Sequence, residues 1–585
     1  MARLTDLVVI GAGWAGLYAA KYARAAGLSV QILEKREAPG GVWNYSDDPR
    51  TITVMRNTVS SSSRHVTEAS DFAMSPEAGN LFRHDDALAY LHSYADAFGL
   101  TPFIETGVHV ARAHKTNGEW RVEAADGRVF RAHRIAVCTG VHQRKRPITG
   151  PAADFTGQII HAGDIKHPAD LQIGQDDHVI VYGGGETASD IVNDLANQTG
   201  ARVTWAIRGG QHFFRKVPLR HGQKAGEYDR HDIALDEYSS AVVGIFSPPE
   251  RGKPGMRYRC NLASSGSVLS YQGHGVAEWC NDIPWFKQFF NKNAHALDHV
   301  WNGRVTPARA ITACEGDIVA FEDGRTARAT HVICCFGYMS DVSFLPENIR
   351  EVPSNKLFKL VFHPDDPSVS FFGLARPTIL SLPYMIELQC MYAQKVWSGD
   401  LPLPDREARW SEAEAEAAEM DATFGHARSN RNVTCPFLYT RNMLRLLGGA
   451  RHEAHLLFRH FPPLRDWRGF SRVIRLPLTP LLLRSLLGGA GAAERERMDR
   501  IVSLMPFGYK RRANTSLPRY VLTYAVVLGI PRLLALDRLF DWFARRRIAR
   551  DGRAIGLRDT VAVACRADQP AGEDGAAPTR PRKAA

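Results

Sequence analysis

Twice in this chain a short apolar strand runs into a glycine-rich loop and straight on into a helix. That repeated unit constrains the fold more than any other feature. Residues Asp6–Ile10 (DLVVI) form a β-branched, apolar run suited to a buried parallel strand. Gly11-Ala-Gly13-Trp-Ala-Gly16 follows, then an Ala-rich stretch of strong helix propensity, then LSVQILEK, a second strand ending at Glu34. In such a unit Gly11 allows the tight turn, Gly13 lets the backbone approach a pyrophosphate, and Gly16 lets the helix pack on the strand. The helix N-terminus offers unpaired amides and the positive end of its dipole to phosphates. Glu34 stands about 20 residues on, where an acid accepts hydrogen bonds from an adenosine ribose and repels a 2′-phosphate. The ligand expected here is FAD or NAD rather than NADP.

The second unit carries the opposite charge. Val179–Tyr182 (VIVY) reads as a strand, followed by Gly183-Gly-Gly185-Glu186-Thr187-Ala188 and by SDIVNDLAN, which reads as a helix. Ala188 takes the third glycine's place, a substitution that the helix-packing position tolerates. The next strand, RVTWAIR, ends at Arg208, where a guanidinium can hold a 2′-phosphate, so this unit is expected to select NADP(H). Arg215 and Lys216 either assist it or belong to a solvated basic loop. Two units of opposite charge logic imply two nucleotides, a resident flavin and a visiting nicotinamide that transfers hydride to it.

A chain of 585 residues exceeds one core, and three or four domain-sized units are expected. Its nine cysteines include no CxxC pair, which argues against a disulfide reductase and for thiols buried in a reducing compartment. Adjacent Cys334 and Cys335 lie in an apolar run and read as core strand residues. The 22 histidines form no HExxH, and no metal site is expected. The start (MARLTDLVVIGAG) runs directly into the first strand without a signal-peptide pattern, so a cytoplasmic location is expected. No apolar run reaches the roughly 18 residues of a membrane span. The net charge of +11 gathers towards the C-terminus, in Lys510-Arg511-Arg512 and Arg545-Arg546-Arg547, yet no nucleic-acid-binding signature accompanies it.

Between the two loops the chain reads Phe155-Thr-Gly157-Gln-Ile-Ile-His161-Ala-Gly-Asp-Ile165-Lys166. Here the sequence resembles the class B flavin-dependent monooxygenases, specifically the flavin-containing monooxygenase family. Phe155, Gly157, His161 and Lys166 match the family's linker signature, while Ile165 stands where an aromatic residue is usual. Gly40-Gly41-x-Trp43, Ser70-Asp71-Phe72, Cys138-Thr139-Gly140, Phe336-Gly337-Tyr338 and Glu387-Leu388-Gln389 follow in family order. The resemblance implies cofactor contacts at Gly41, Trp43, Thr139, Gly140, Gly337 and Gln389, beside Gly183, Gly185, Glu186 and Thr187 of the second loop. It implies an α/β fold of two Rossmann-like domains, with a discontinuous FAD domain (1–165 and 320–400) around an inserted NADPH domain (166–319). A helix from about Pro383 then either aims its N-terminus at the flavin or simply packs. His161 would orient the domains.

The chemistry so implied uses FAD, NADPH and molecular oxygen. A C4a-hydroperoxyflavin oxygenates a nucleophilic N or S centre of a small organic substrate. The alternatives are Baeyer–Villiger oxidation of a ketone or aldehyde, and a non-oxygenating reductase or redox sensor. Where the family carries Asn in an NxSK segment, this chain has Ser61, with Arg64 at the Lys position, which makes Ser61 the candidate catalytic residue. An insertion over about 209–302, rich in Gly, His and aromatics and helical in its second half, is expected over the substrate cleft. Beyond it, 401–567 reads as a helical, basic extension whose Leu-rich stretches either pack on the body or lie on an anionic lipid surface. The tail 568–585 is expected to be disordered.

Overall fold

The computed structural model describes residues 4–211, 213–217, 229–238, 279, 291–378, 380–424 and 433–504. The expected helical second half of the insertion, the basic stretch beyond 504 and the tail 568–585 lie outside the described residues.

The first strand, Leu4–Ile10, has Leu7, Val8 and Val9 fully buried, because both faces of its sheet are covered. Burying each such side chain stabilises the fold by about 1.5–3 kcal/mol. Parallel strands run in the order Ile104–Glu105, Val30–Leu33, Leu4–Ile10 and Val129–Val137, and the antiparallel strands Glu119–Ala124 and Val110–Thr116 follow. Strand Val129–Val137 shares one edge between two partners. Its first half pairs with Glu119–Ala124, while Ile135–Val137 pairs in parallel with Val369–Phe371, where the chain returns. Helix Trp14–Ala25 buries one side against the sheet and another against the long helix Leu382–Trp397, with Tyr18 and Tyr384 fully buried.

The second sheet is wholly parallel, ordered Val305–Ala308, Arg202–Ala206, His178–Tyr182, His331–Cys334 and Gln158–His161. Two of its strands fall outside the expected span 166–319. Gln158–His161 precedes the first boundary and His331–Cys334 follows the second, yet both complete this sheet. The apolar run His331–Cys334 lies between His178–Tyr182 and Gln158–His161, so the sheet draws its strands from residues 158 to 334. The two crossings between the sheets are themselves paired, Arg144–Lys145 with Tyr338–Met339. Cys334 is buried in its strand as expected, and Cys335 sits just past it, half-buried.

For the described part of the extension, packing on the body is what the structure shows. Leu476, Leu478 and Leu481–Leu483 join the core cluster that holds Tyr18 and Tyr384. From helix Pro480–Gly488, Arg484 reaches Asp71 at 3.0 Å; from helix Ala492–Leu504, Arg497 reaches Glu68 at 2.6 Å and also donates to the Ala69 and Ser70 carbonyls. Burial alone would push the Glu68 carboxyl up, but Arg497 and His65 beside it bring it down to about 2. Among the described residues no helix is long and apolar enough to cross a membrane, and no cluster of His, Cys, Asp and Glu has a metal-holding arrangement.

Candidate active site

At the first loop the strand end and the helix start are in direct contact. Gly11 has φ +104°, and a Cβ there would stand 2.6 Å from the Cys138 carbonyl oxygen. A Cβ on Gly16 would fall deep inside the Gly11 carbonyl oxygen, so helix and loop meet through bare backbone. The segment Gly41–Trp43 hangs on this loop through Gly40 N–H donating to Ala12 O at 3.0 Å. Gly13 and Gly41 then face one another, and a Cβ on Gly41 would lie 3.2 Å from the Gly13 Cα. Trp43 packs 6.2 Å from Trp14, which stacks on Tyr90 at 5.6 Å. Glu34 is buried and accepts from Ala12 N at 2.8 Å and Arg36 N at 2.9 Å, so its carboxylate braces the loop. Thr139 follows the neighbouring strand with its hydroxyl buried and unpartnered, and Gly140 turns the chain at φ +79°.

The second loop repeats the arrangement. A Cβ on Gly183 would stand 2.7 Å from the Cys335 carbonyl oxygen, the counterpart of Cys138. Gly183 N bonds Ala206 O and Cys335 N bonds Tyr182 O, as Gly11 N bonds Leu33 O and Cys138 N bonds Ile10 O. Gly185 caps helix Glu186–Gln198 and faces open space, with Glu186 and Thr187 in its first turn. Arg208 is exposed, just past strand Arg202–Ala206. Arg215 and Lys216, read as a solvated loop or as helpers of Arg208, are instead buried. Arg215 pairs with Asp298 at 2.9 Å and with His295, and Lys216 lies 3.9 Å from Asp190. Their stretch is folded under the second unit rather than over its surface.

Ser61 lies in a run of four serines of which the other three are spent on structure. Ser60 Oγ bonds Ser62 O and Phe82 N, Ser62 Oγ donates to Leu380 O at 3.2 Å, and Ser63 Oγ caps the short helix Arg64–Thr67. Ser61 is half-buried, and its hydroxyl takes no partner among the described residues. Helix Leu382–Trp397 begins beside this run, capped by Ser381, whose hydroxyl also donates to Val66 O at 2.8 Å.

Helices that start at Ser381, Thr479 and Asp466 carry side-chain caps; helix Pro436–Leu447 at Cys435 goes without one, as do the two after the glycine loops, which start at Gly13 and Gly185. Their first-turn amides are left for another acceptor. A profile of the Flavin-binding monooxygenase-like family matches residues 5–222, spanning both loops. Over that stretch the chain carries the family's pattern. It is similar to a mouse dimethylaniline monooxygenase (N-oxide-forming), with 25% identity over 72% of this chain and 79% of the relative. Among solved structures it shares its fold with an S-allyl-L-cysteine S-oxygenase of Allium sativum (TM-score 0.55, 19% identity, 85% of this chain and 99% of that one). A cyclohexanone monooxygenase has the same fold (TM-score 0.53, 16% identity, 77% and 99% covered).

This flavin-dependent monooxygenase is an oxidoreductase that uses FAD and NADPH with molecular oxygen and a small-molecule substrate. Its own residues fit two dinucleotides: two uncapped helix starts, the bare Gly13–Gly41 face and the orphaned Thr139 hydroxyl all suit polar ligands. The structure gathers Gly11, Gly13, Gly16, Glu34, Gly41, Trp43, Thr139 and Gly140 at one loop, and Gly183, Gly185, Glu186 and Thr187 at the other. Gly337 lies on the paired crossing, its carbonyl accepting from Arg146 N at 3.0 Å. Gln389 does not join them. It is fully buried with both amide ends spent, accepting from Gly373 N at 3.1 Å and donating to Leu360 O at 2.7 Å.

Of the linker residues, Gly157 fits because any side chain there would strike the Phe155 ring and Thr330 O. His161 accepts from Gly163 N at 2.9 Å, and burial, helped by Lys145, lowers its basicity. Sequence reasoning missed Asn291, Lys292 and Asp236. They lie far along the chain from the glycine loop and the serine run that they meet, and no local pattern marks them.

Proposed function

We propose that this enzyme oxygenates a soft nitrogen or sulfur centre of a small organic molecule. FAD belongs at the first loop and NADPH at the second, across a discontinuous FAD domain closed by the strand Val369–Phe371 and the helix after it. When bound and reduced, the flavin supplies the activation of oxygen. The chain's part is to hold, orient and exclude water. Trp14, Trp43, Phe82 and Tyr90 form a packed aromatic wall over the first loop that keeps solvent from it. The observation that carries the reading is Ser61: alone in its run it keeps a free hydroxyl, able to donate a hydrogen bond where the family uses Asn.

The test is a stopped-flow experiment in which enzyme reduced by NADPH under nitrogen meets oxygenated buffer. Wild type is expected to show a long-lived absorbance blue of the oxidised flavin bands, discharged faster by amines and sulfides. Ser61→Ala is expected to return oxidised flavin directly with hydrogen peroxide. Discharge by ketones alone would move the reaction to Baeyer–Villiger oxidation. Direct return in the wild type with NADP bound would defeat both.

For the nicotinamide, Arg208 is the exposed cation after the second unit's strand and belongs with the 2′-phosphate. Arg208→Ala is expected to weaken NADPH by about 10–100-fold, the range of one charge-assisted hydrogen-bonded contact, while leaving NADH nearly unchanged. The ratio of kcat/KM for the two cofactors checks it, and an unchanged ratio would assign the selection elsewhere.

A further inference from the structure

The tripeptide Asn291-Lys292-Asn293 is stapled to the second glycine loop. Asn291 Nδ2 donates to Gly184 O at 3.1 Å and Ser189 Oγ at 2.7 Å, Lys292 N meets Glu186 Oε1 at 3.4 Å, and Asn293 Nδ2 donates to Asp190. From this anchored backbone the Lys292 side chain crosses to the serine run and donates to Ser62 Oγ at 3.3 Å. Asp236 arrives from another stretch and accepts the Ser63 N–H at 3.1 Å. Both charges are at least nine-tenths buried, Lys292 at 5% and Asp236 at 1% exposure, and the Lys292 charge draws the Asp236 carboxyl down against the burial that raises it. All three anchors lie past residue 222, outside the stretch matched by the family profile.

We infer that Lys292 is a positioning residue for Ser61, a strut that fixes the serine run relative to the second glycine loop. Asp236 holds the other end of the same turn. The inference rests on the Ser61 reading above. Its logic is geometric: Ser62 and Ser63 are pinned on either side of the charge pair, so the hydroxyl that precedes them has one place to stand. Loosening the pins lets Ser61 wander by an ångström or so, and misplacement on that scale costs up to about 100-fold in a positioned reaction.

The experiment measures peroxide released per NADPH consumed in Lys292→Met, Lys292→Arg, Ser61→Ala and the pair Ser61→Ala/Lys292→Met. In parallel, NADP⁺ affinity is read from the flavin difference spectrum of the oxidised enzyme. Lys292→Met is expected to raise peroxide release about tenfold, with NADP⁺ affinity unchanged because Asn291 still holds the loop. Lys292→Arg is expected to restore most of the coupling, and the double variant to be no worse than Ser61→Ala. If Lys292→Met leaves coupling intact while Ser61→Ala destroys it, the strut is wrong and the Ser61 reading survives. If Ser61→Ala has no effect, the Ser61 reading falls and takes the strut with it. Additive losses would also overturn it. Should the lone substitution prevent folding by stranding Asp236, the charge-neutral pair Lys292→Met/Asp236→Asn carries the same comparison.

Discussion

Gly16→Ala is expected to yield protein without bound FAD. The added methyl would occupy the position of the Gly11 carbonyl oxygen, and neither partner can step aside. Gly11 is itself held by its N–H to Leu33 O at 2.7 Å and by the Cys138 carbonyl at its Cα. The helix must therefore lift from the strand, carrying away the uncapped amides at Gly13 on which a pyrophosphate depends. Overpacking of this kind costs typically 1–3 kcal/mol even where the surroundings yield, and here they are backbone. The flavin-to-protein absorbance ratio checks the loss. A variant with full flavin and unchanged melting temperature would show that the helix does not seat on the loop as described.

Glu237→Gln is expected to stabilise the protein above neutral pH and to do almost nothing at pH 5. Burial, and the charge of Asp236 next to it, push the Glu237 carboxyl from 4.5 up to about 7, against the opposing pull of His65, Asn80 and the Ala234 amide. The folded state thus holds this proton more tightly than the unfolded chain. Below about pH 4.5 both states are protonated and the group costs nothing. As pH rises from there to about 7 the unfolded chain ionises first, and the native state loses on the order of 3 kcal/mol, a loss that persists at higher pH.

Geometry points the same way. Asn80 Nδ2 and Ala234 N both donate to Glu237 Oε2, while Glu237 Oε1 and Asn80 Oδ1 are both buried without a partner. A proton on the acid, or the amide of a glutamine, turns a buried acceptor without a partner into a donor. Melting temperatures of wild type and variant across pH 5–9 should diverge by a few degrees on the alkaline side. Parallel curves would show that Glu237 is ionised throughout.

What could be read from the chain itself was whatever lies close together in it. Gly11, Gly13, Gly16 and Glu34 fall within one strand–helix–strand unit, and their roles follow from local geometry. The place of Arg208, just past the second unit's strand, was legible for the same reason. Arg215 and Lys216 misled because a basic pair in a Gly- and His-rich stretch looks solvated, whereas distant partners such as Asp298 and Asp190 make its burial tolerable. The edges of the second sheet were hidden because His331–Cys334 is an apolar strand like any other, and its neighbours are chosen by tertiary pairing. Gln389 was expected at the cofactor through the resemblance alone, and Gly373 and Leu360, which consume its amide, approach from outside its helix. Lys292 reaches Ser62 across more than two hundred residues of chain, and no periodicity encodes such a meeting.

The shared edge of strand Val129–Val137 bears on how the molecule is made. Residues Ile135–Val137 wait for Val369–Phe371, and His178–Tyr182 waits for His331–Cys334. A ribosome adding about 5–20 residues per second leaves the first of these edges open for roughly ten to fifty seconds. Between residues 185 and 331 the nascent protein carries two glycine loops and two unfinished sheets, each a ready template for a stray strand. Both nucleotide sites therefore mature late and almost together, and the vulnerable period in the life of this enzyme falls before its last third has been synthesised.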